Sequence, residues 1–446
     1  MLITHATVAN PAWPDQFHEN VALHIREGRI AALGPTDVLR HEHPEAEILD
    51  ARGGLVLPGL VCAHTHFYGA FARGMALPGE PAATFPQILE RLWWRLDKLL
   101  QPDDIAYSVL VFLCDAIRHG TTTVIDHHAS PNAIAGSLDA IAYGCSQAGV
   151  RACLCYEMTD RDGPERFRQG LAENQRFGRR VRALDEAERG MLAASVGLHA
   201  SFTLSDESLQ EAAGLARDLD LGCHIHVAED RSDVEDSLRR SGVRAVGRLA
   251  RAGVLGPKSI AAHCVHVDDE EMEVLRSTST WVVHNPRSNM NNAVGTARVP
   301  AMLAAGIPVG LGNDGFSMNM FQEMKAAYLV HKQASGDPRT LGADRVVEMQ
   351  WRNNAALAST LLNVTGLGDV GVGSPADLII LDYQAPTPVT AANLPWHIAF
   401  GIDGEHVRTS IVGGRVLMRE RQLLTLDEEH IHAKARELAA RLWHRL

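Results

Sequence analysis

The chain has 446 residues, of which 46% are hydrophobic and 22% charged, and its formal net charge is −12. That composition excludes disorder as the main state, because a core can be built. The acidic balance argues against a partner that is nucleic acid or an anionic membrane. The length allows roughly three domains at about 150 residues each, although one α/β barrel can use about 250 residues or more. The longest apolar stretch, Ile105 to Ile117, falls short of the roughly 20 residues of a spanning helix. The opening MLITHATVAN has no secretory leader pattern. Seven cysteines without a regular framework read as reduced thiols and a cytoplasmic home.

In chain order, residues 1–57 carry short β-type runs (MLITHATVAN, ENVALHIREGRIAALGP, AEILDARGGLVLPG) separated by Gly, Pro and Asn. The middle alternates. Apolar, β-branched strands are predicted at Leu55–Ala63, Thr121–Asp126, Arg151–Tyr156, Ala193–Leu198, Gly222–Val227, Ser259–Ala262, Trp281–Val283 and Val309–Gly312, with amphipathic helical text between them. β-type text returns at Ala376–Tyr383 and Val407–Met418, and Asp427 to Leu446 has helical spacing. The prediction is an α/β protein: a (β/α)8 barrel over 58–368, inserted in a small β-sandwich built from 1–57 and 369–446. A doubly wound sheet is the alternative, but its Gly-rich phosphate turn is missing.

Histidine is the unusual residue, with 22 copies against six Tyr and seven Trp. His64 and His66 close the first predicted strand, and His127 and His128 follow the second. His199 closes the fourth, His224 and His226 the fifth, His263 the sixth and His284 the seventh; Asp314 follows the eighth. In a parallel barrel these ends converge on one face, where such enzymes place their active sites. Strand residues i and i+2 share a side, so His64/His66 and His224/His226 can each face inward as a pair. His41/His43 and His430/His432 lie in polar and helical text and read as surface. A lone His is more often a satisfied core residue. Three His and one Asp at strand ends instead form a divalent-metal set, suited to zinc or ferrous iron. Glu229, three residues after His226, is placed to reach a water on the metal or a substrate nitrogen; Asp230 is weaker by position. Phe67, Tyr68, Trp93 and Trp94 are candidates to stack on a planar ring, although aromatics in the helical run at Trp93 and Trp94 more often serve packing. No Cys-x-x-Cys or His-Glu-x-x-His occurs, which argues against two other zinc-hydrolase classes.

The segments LPGLVCAHTHFYGAFARG, HIHVAED, AAHCVHVDDEE, VVHNPRSNM, GLGNDGFSMN and ADLIILDY together resemble the amidohydrolase superfamily, in its cytosine/guanine deaminase and triazine-hydrolase branch. HTHFYGAFARGM, ILERLWWRLDKLL, CYEMTDRDG and LHASFTLSD are most similar to its SsnA-type aminohydrolases. The resemblance implies His64, His66, His226 and Asp314 as metal ligands, Asp314 also accepting a proton from water. It implies Glu229 as proton shuttle to the substrate ring and His263 as hydrogen-bond partner of the attacking oxygen. His226 is preferred to His224 only by the family's His-x-x-Glu register; the residues alone leave both open. Strand four ends in His199 and offers no lysine for a binuclear centre, which implies one divalent ion, zinc before iron. His199 is the first substrate-binding candidate, with Gln87, Arg161 and Asn285 behind it. The implied activity is hydrolytic deamination of a small nitrogen heterocycle such as a purine, pterin or pyrimidine, through metal-activated water. Ring opening of a cyclic amide or amidine is the alternative, and a non-catalytic barrel scaffold a remote one. A homo-oligomer is expected, with a dimer favoured as the commonest symmetric assembly.

Overall fold

Strands buried on both faces read as unbroken apolar runs, and such runs pair in parallel under a cover of helices. The computed structural model, which describes residues 1–446 apart from the Ala187 side chain, shows this pattern. The first three barrel strands are Leu60–Thr65, Thr121–His128 and Arg151–Tyr156. The fourth comes in two pieces, Leu192–Ala194 and Val196–Ala200. The last four are Cys223–Val227, Ile260–His263, Trp281–His284 and Val309–Leu311. All neighbouring pairs are parallel.

The ring is assembled from two arcs. Leu192–Ala194 pairs with strand three and Val196–Ala200 with strand five, so the arcs meet at Ser195. A parallel bridge between Met158 and Leu198 closes this seam, with Met158 N–H donating to Gly197 O at 3.1 Å and His199 N–H to Met158 O at 2.9 Å. A Cβ on Gly197 would stand 2.3 Å from Tyr156 O, so only glycine permits the approach. At the opposite seam, Asn313 and Asp314 N–H groups donate to His64 O at 2.9 and 3.2 Å. Deeper in the same seam, buried Asn354 takes the place of a strand ladder. Its Nδ2 donates to Val61 O and Leu311 O, both at 2.8 Å, and its Oδ1 accepts Leu311 N–H at 2.8 Å.

Both chain ends join in a nine-stranded sheet. Leu378–Leu381 pairs antiparallel with Leu55–Pro58, which pairs in turn with Leu2–Ala9. This sheet encloses its own core of residues such as Ile3, Val8, Leu23, Val56, Ile380 and Ile411. The expected single strand Leu55–Ala63 is therefore two strands in two sheets. The break is at Gly59, where a Cβ would lie 2.2 Å from Thr122 Oγ1. The last helix, Glu428–Trp443, starts at Asp427, whose carboxylate accepts His430 N–H at 3.0 Å, and Glu428 pairs with Arg118. No helix among the described residues is long and apolar enough to cross a membrane.

Asn354→Ala would leave Leu311 N–H and Leu311 O unpaired at the seam and remove one of the two donors to Val61 O, which keeps Gln350 Nε2. The expected loss is about 3 kcal/mol of folding stability, read by chemical denaturation; a loss within experimental error would remove the seam role.

Candidate active site

The C-terminal ends of the barrel strands bring His64, His66, His226 and Asp314 together. His66 Nε2 lies 3.1 Å from both His226 Nε2 and Asp314 Oδ1, and His64 Nε2 lies 3.0 Å from the same oxygen. Each ring's other nitrogen is already engaged. His66 Nδ1–H donates to His127 O at 2.6 Å and His226 Nδ1–H to His199 O at 2.7 Å. His64 Nδ1 shares a hydrogen bond with His224 Nε2 at 2.8 Å. The Nε2 atoms of all three rings therefore face one another and one carboxylate, an arrangement that a shared cation would satisfy; against the effect of burial, Asp314 pulls the neighbouring His66 imidazole up to about 9. Donors about 3 Å apart suit an ion with bonds of about 2.0–2.2 Å, and a mixed His/Asp set suits zinc or a similar divalent ion. Burial holds the His64 imidazole down to about 3, so it is neutral and free to ligate.

His224 and His226 do both point inward, as their spacing requires, but at different depths. His226 reaches the cluster, whereas His224 lies beneath it and orients His64. Depth along the strand thus separates two residues that spacing alone leaves equivalent.

A second group stands beside the first. His263 Nδ1–H donates to Asn289 Oδ1 at 2.8 Å, while its Nε2 has no partner and lies 3.6 Å from Glu229 Oε2 and 3.8 Å from Asp314 Oδ2. Glu229 Oε1 accepts from Asn292 Nδ2 at 3.2 Å. Burial, reinforced by Asp314 nearby, pushes the Glu229 carboxyl up to about 7, against the opposing pull of His263. Ser288 Oγ donates to Asp314 Oδ2 at 2.5 Å. Ser288, Asn289 and Asn292 come from the turn and short helix after strand seven, and position alone did not single them out.

The backbone is held in uncommon conformations here. Ala228, His263 and Asp314 have φ of 47°, 71° and 53°, a region that costs non-glycine residues energy and is maintained by surrounding contacts. Those contacts are visible. Asp233 accepts N–H groups from Ala228 and Phe202 at 2.8 and 2.9 Å, and His266 N–H donates to Ala228 O at 2.9 Å.

The cluster opens into a narrow cleft walled by Tyr68, Phe85, Trp93, Trp94, His199 and Phe202, among others. Trp93 and Trp94 both line it, at the end of a π-helical turn, Leu89–Trp93; such turns often mark functional sites. Phe67, in contrast, is fully buried against Phe112. Of the substrate-binding candidates, only His199 lies on the cleft wall. Arg161 stands behind it, ion-paired with Asp97 and Asp162 and 5.2 Å over the Trp94 ring. Gln87 is turned away, accepting Ala83 N–H at 2.8 Å. Asn285 is buried behind strand eight, its Oδ1 filling the space a Gly312 Cβ would need. Glu157, which directly follows strand three, was not anticipated and lines the cleft.

With this geometry in view, the comparisons are specific. Residues 55–417 match the amidohydrolase family. The chain belongs to that family. It is 34% identical over 448 residues to a 5-methylthioadenosine/S-adenosylhomocysteine deaminase of Desulforudis audaxviator, with 99% of each chain covered. It is 34% identical over 422 residues to a 5'-deoxyadenosine deaminase of Methanosarcina mazei, covering 94% of this chain and 92% of the relative. An adenosine deaminase from Xanthomonas campestris with bound zinc superposes with a TM-score of 0.86 at 23% identity, over 99% of this chain and 98% of that one. The zinc complex of atrazine chlorohydrolase TrzN from Arthrobacter aurescens superposes with a TM-score of 0.82 at 22% identity, over 98% and 99%. These two structures establish the amidohydrolase fold, a barrel with its sandwich.

His224→Ala removes the ring that orients His64 without touching the cluster itself. Affinity for zinc should fall about 10- to 100-fold, measured by competition with a chelating dye; unchanged affinity would make His224 a packing residue only.

Proposed function

We propose that this amidohydrolase removes an exocyclic amine from a planar nitrogen heterocycle, with water as co-substrate and a ring carbonyl and ammonia as products. The observation that carries the reading is the convergence of two groups at one cleft: an acceptor set that calls for a cation, and an adjoining Glu229–His263–Asp314 set for moving protons. The deaminases named above, similar over nearly the whole chain, support the same chemistry.

His64, His66, His226 and Asp314 would hold one divalent ion, zinc in this reading. When bound it supplies Lewis acidity, which makes water a usable nucleophile near neutral pH. Asp314 presents Oδ1 to the ligand cluster and keeps Oδ2 toward Ser288 and His263. Oδ2 accepts the proton that the attacking water releases. His263 offers the unpartnered Nε2 to the attacking oxygen and fixes its approach. Glu229 is held by Asn292 at the cleft edge and delivers a proton to the ring nitrogen beside the attacked carbon. A carboxyl raised to about 7 can donate and recover a proton near neutral pH. The same relay then protonates the leaving amine. Tyr68, Trp93, Trp94 and Phe202 supply flat apolar surface for the ring and limit water access.

Two measurements test this. Zinc-loaded protein should release ammonia from at least one purine, pterin or pyrimidine while the ring's ultraviolet absorption shifts and persists. Loss of that absorption without ammonia would assign ring opening instead. Glu229→Gln should keep one metal per chain and lose turnover by about 10²- to 10⁴-fold; near-normal turnover would refute the proton-shuttle role.

A further inference from the structure

We propose that Cys155 is a positioning residue of the metal centre. Its sulfur accepts the Nδ1–H of His224, which fixes the tautomer in which His224 accepts from His64 and leaves the His64 Nε2 lone pair for the ion. This inference rests on the divalent-ion reading of the cluster above.

The His64–His224 contact has no direction of its own, because either ring nitrogen can carry the shared proton. What lies behind His224 supplies the direction. His224 is fully buried, and burial holds its imidazole well below the ordinary range, so the ring is neutral and carries a single N–H. Among the described residues, the partner of its Nδ1 is the Cys155 sulfur, at 3.9 Å. Cys155 is fully buried as well, and burial keeps its thiol protonated. The one S–H has a nearer partner in Asp126 O, at 3.5 Å, which can only accept. The sulfur lone pairs are then left facing His224 Nδ1.

The relay follows from that end. His224 Nδ1–H donates to sulfur, His224 Nε2 is bare, and His64 Nδ1–H donates to it at 2.8 Å. Its members come from strands one, five, three and two, so barrel pairing holds them in line. Strand four leaves the room: a Cβ on Gly197 would stand 3.0 Å from the Cys155 sulfur. The relay run backwards would put the His64 proton on Nε2, against Asp314 Oδ1 at 3.0 Å, and close that nitrogen to a metal. Valine at 155 would fill the space and accept nothing. His224 Nδ1–H would then be a buried, unpaired donor whenever His64 binds an ion, and the cost would fall on ion affinity.

The test is a double-mutant cycle on zinc affinity, measured by competition with a chelating dye at fixed pH. It covers wild type, Cys155→Val, His224→Ala and the double variant, with the melting temperature of each metal-free protein recorded alongside. Cys155→Val should bind zinc about 10-fold more weakly, and should cost nothing further once His224 is replaced. Cys155→Ser, whose hydroxyl can make both bonds, should stay within about threefold of wild type. Unchanged affinity in Cys155→Val would overturn the proposal. A loss of equal size with and without His224 would overturn it in favour of packing, and so would a Cys155→Ser as weak as Cys155→Val. Should Cys155→Val fail to fold, nitrogen NMR of zinc-loaded wild type with isotope-labelled histidine decides. A His224 proton on Nδ1 supports the proposal, and one on Nε2 refutes it. A wild type that binds no zinc would refute the ion reading itself, and this inference with it.

Discussion

Three imidazole nitrogens and a carboxylate oxygen, all within about 3 Å of a neighbour, are costly company in a buried site unless a proton or a cation is shared among them. Much of the surrounding structure maintains that arrangement. Backbone carbonyls at His127 and His199 take the Nδ1 protons of His66 and His226, and His224 pairs with Nδ1 of His64. The strand ends on which the carbonyls sit are held by barrel pairing, so the tautomers of His66 and His226 follow from the fold. The left-handed backbone at Ala228, His263 and Asp314 costs energy for the same end, since it turns Glu229, His263 and Asp314 toward one point.

The cleft repeats this logic with weaker forces. Arg161 does not touch the cleft; it braces the Trp94 ring from behind, itself neutralised by Asp97 and Asp162. Asp233 holds the turn that carries Glu229 by accepting two backbone N–H groups. Groups that face substrate are thus kept in place by groups that do not.

Much of this was legible in the residues. Period-two pairing predicted that His64/His66 and His224/His226 face inward, and strand-end placement predicted which face they share. What periodicity does not carry is depth, so it left His224 and His226 equivalent until the structure set one below the other. Nor does it register a single glycine that divides one apolar run between two sheets, as Gly59 does. Trp93 and Trp94 looked like packing residues because aromatics in a helical run usually are, yet both line the cleft. Gln87 and Asn285 were chosen as polar residues near the right strands, but their amides serve local packing. Glu157 carries no such signal: strand three ends in Tyr156-Glu157, with no histidine to mark it.

The two arcs of the ring contribute unequally to the cluster. His64 and His66 belong to the first arc, and His226 and Asp314 to the second. An ion shared by the four would act as a clasp across both halves of the molecule. Its binding energy would oppose opening of the ring at either seam, although neither Ser195 nor Asn354 belongs to the cluster. Chemistry and architecture here draw on one set of bonds, and a change that loosens either is felt by the other.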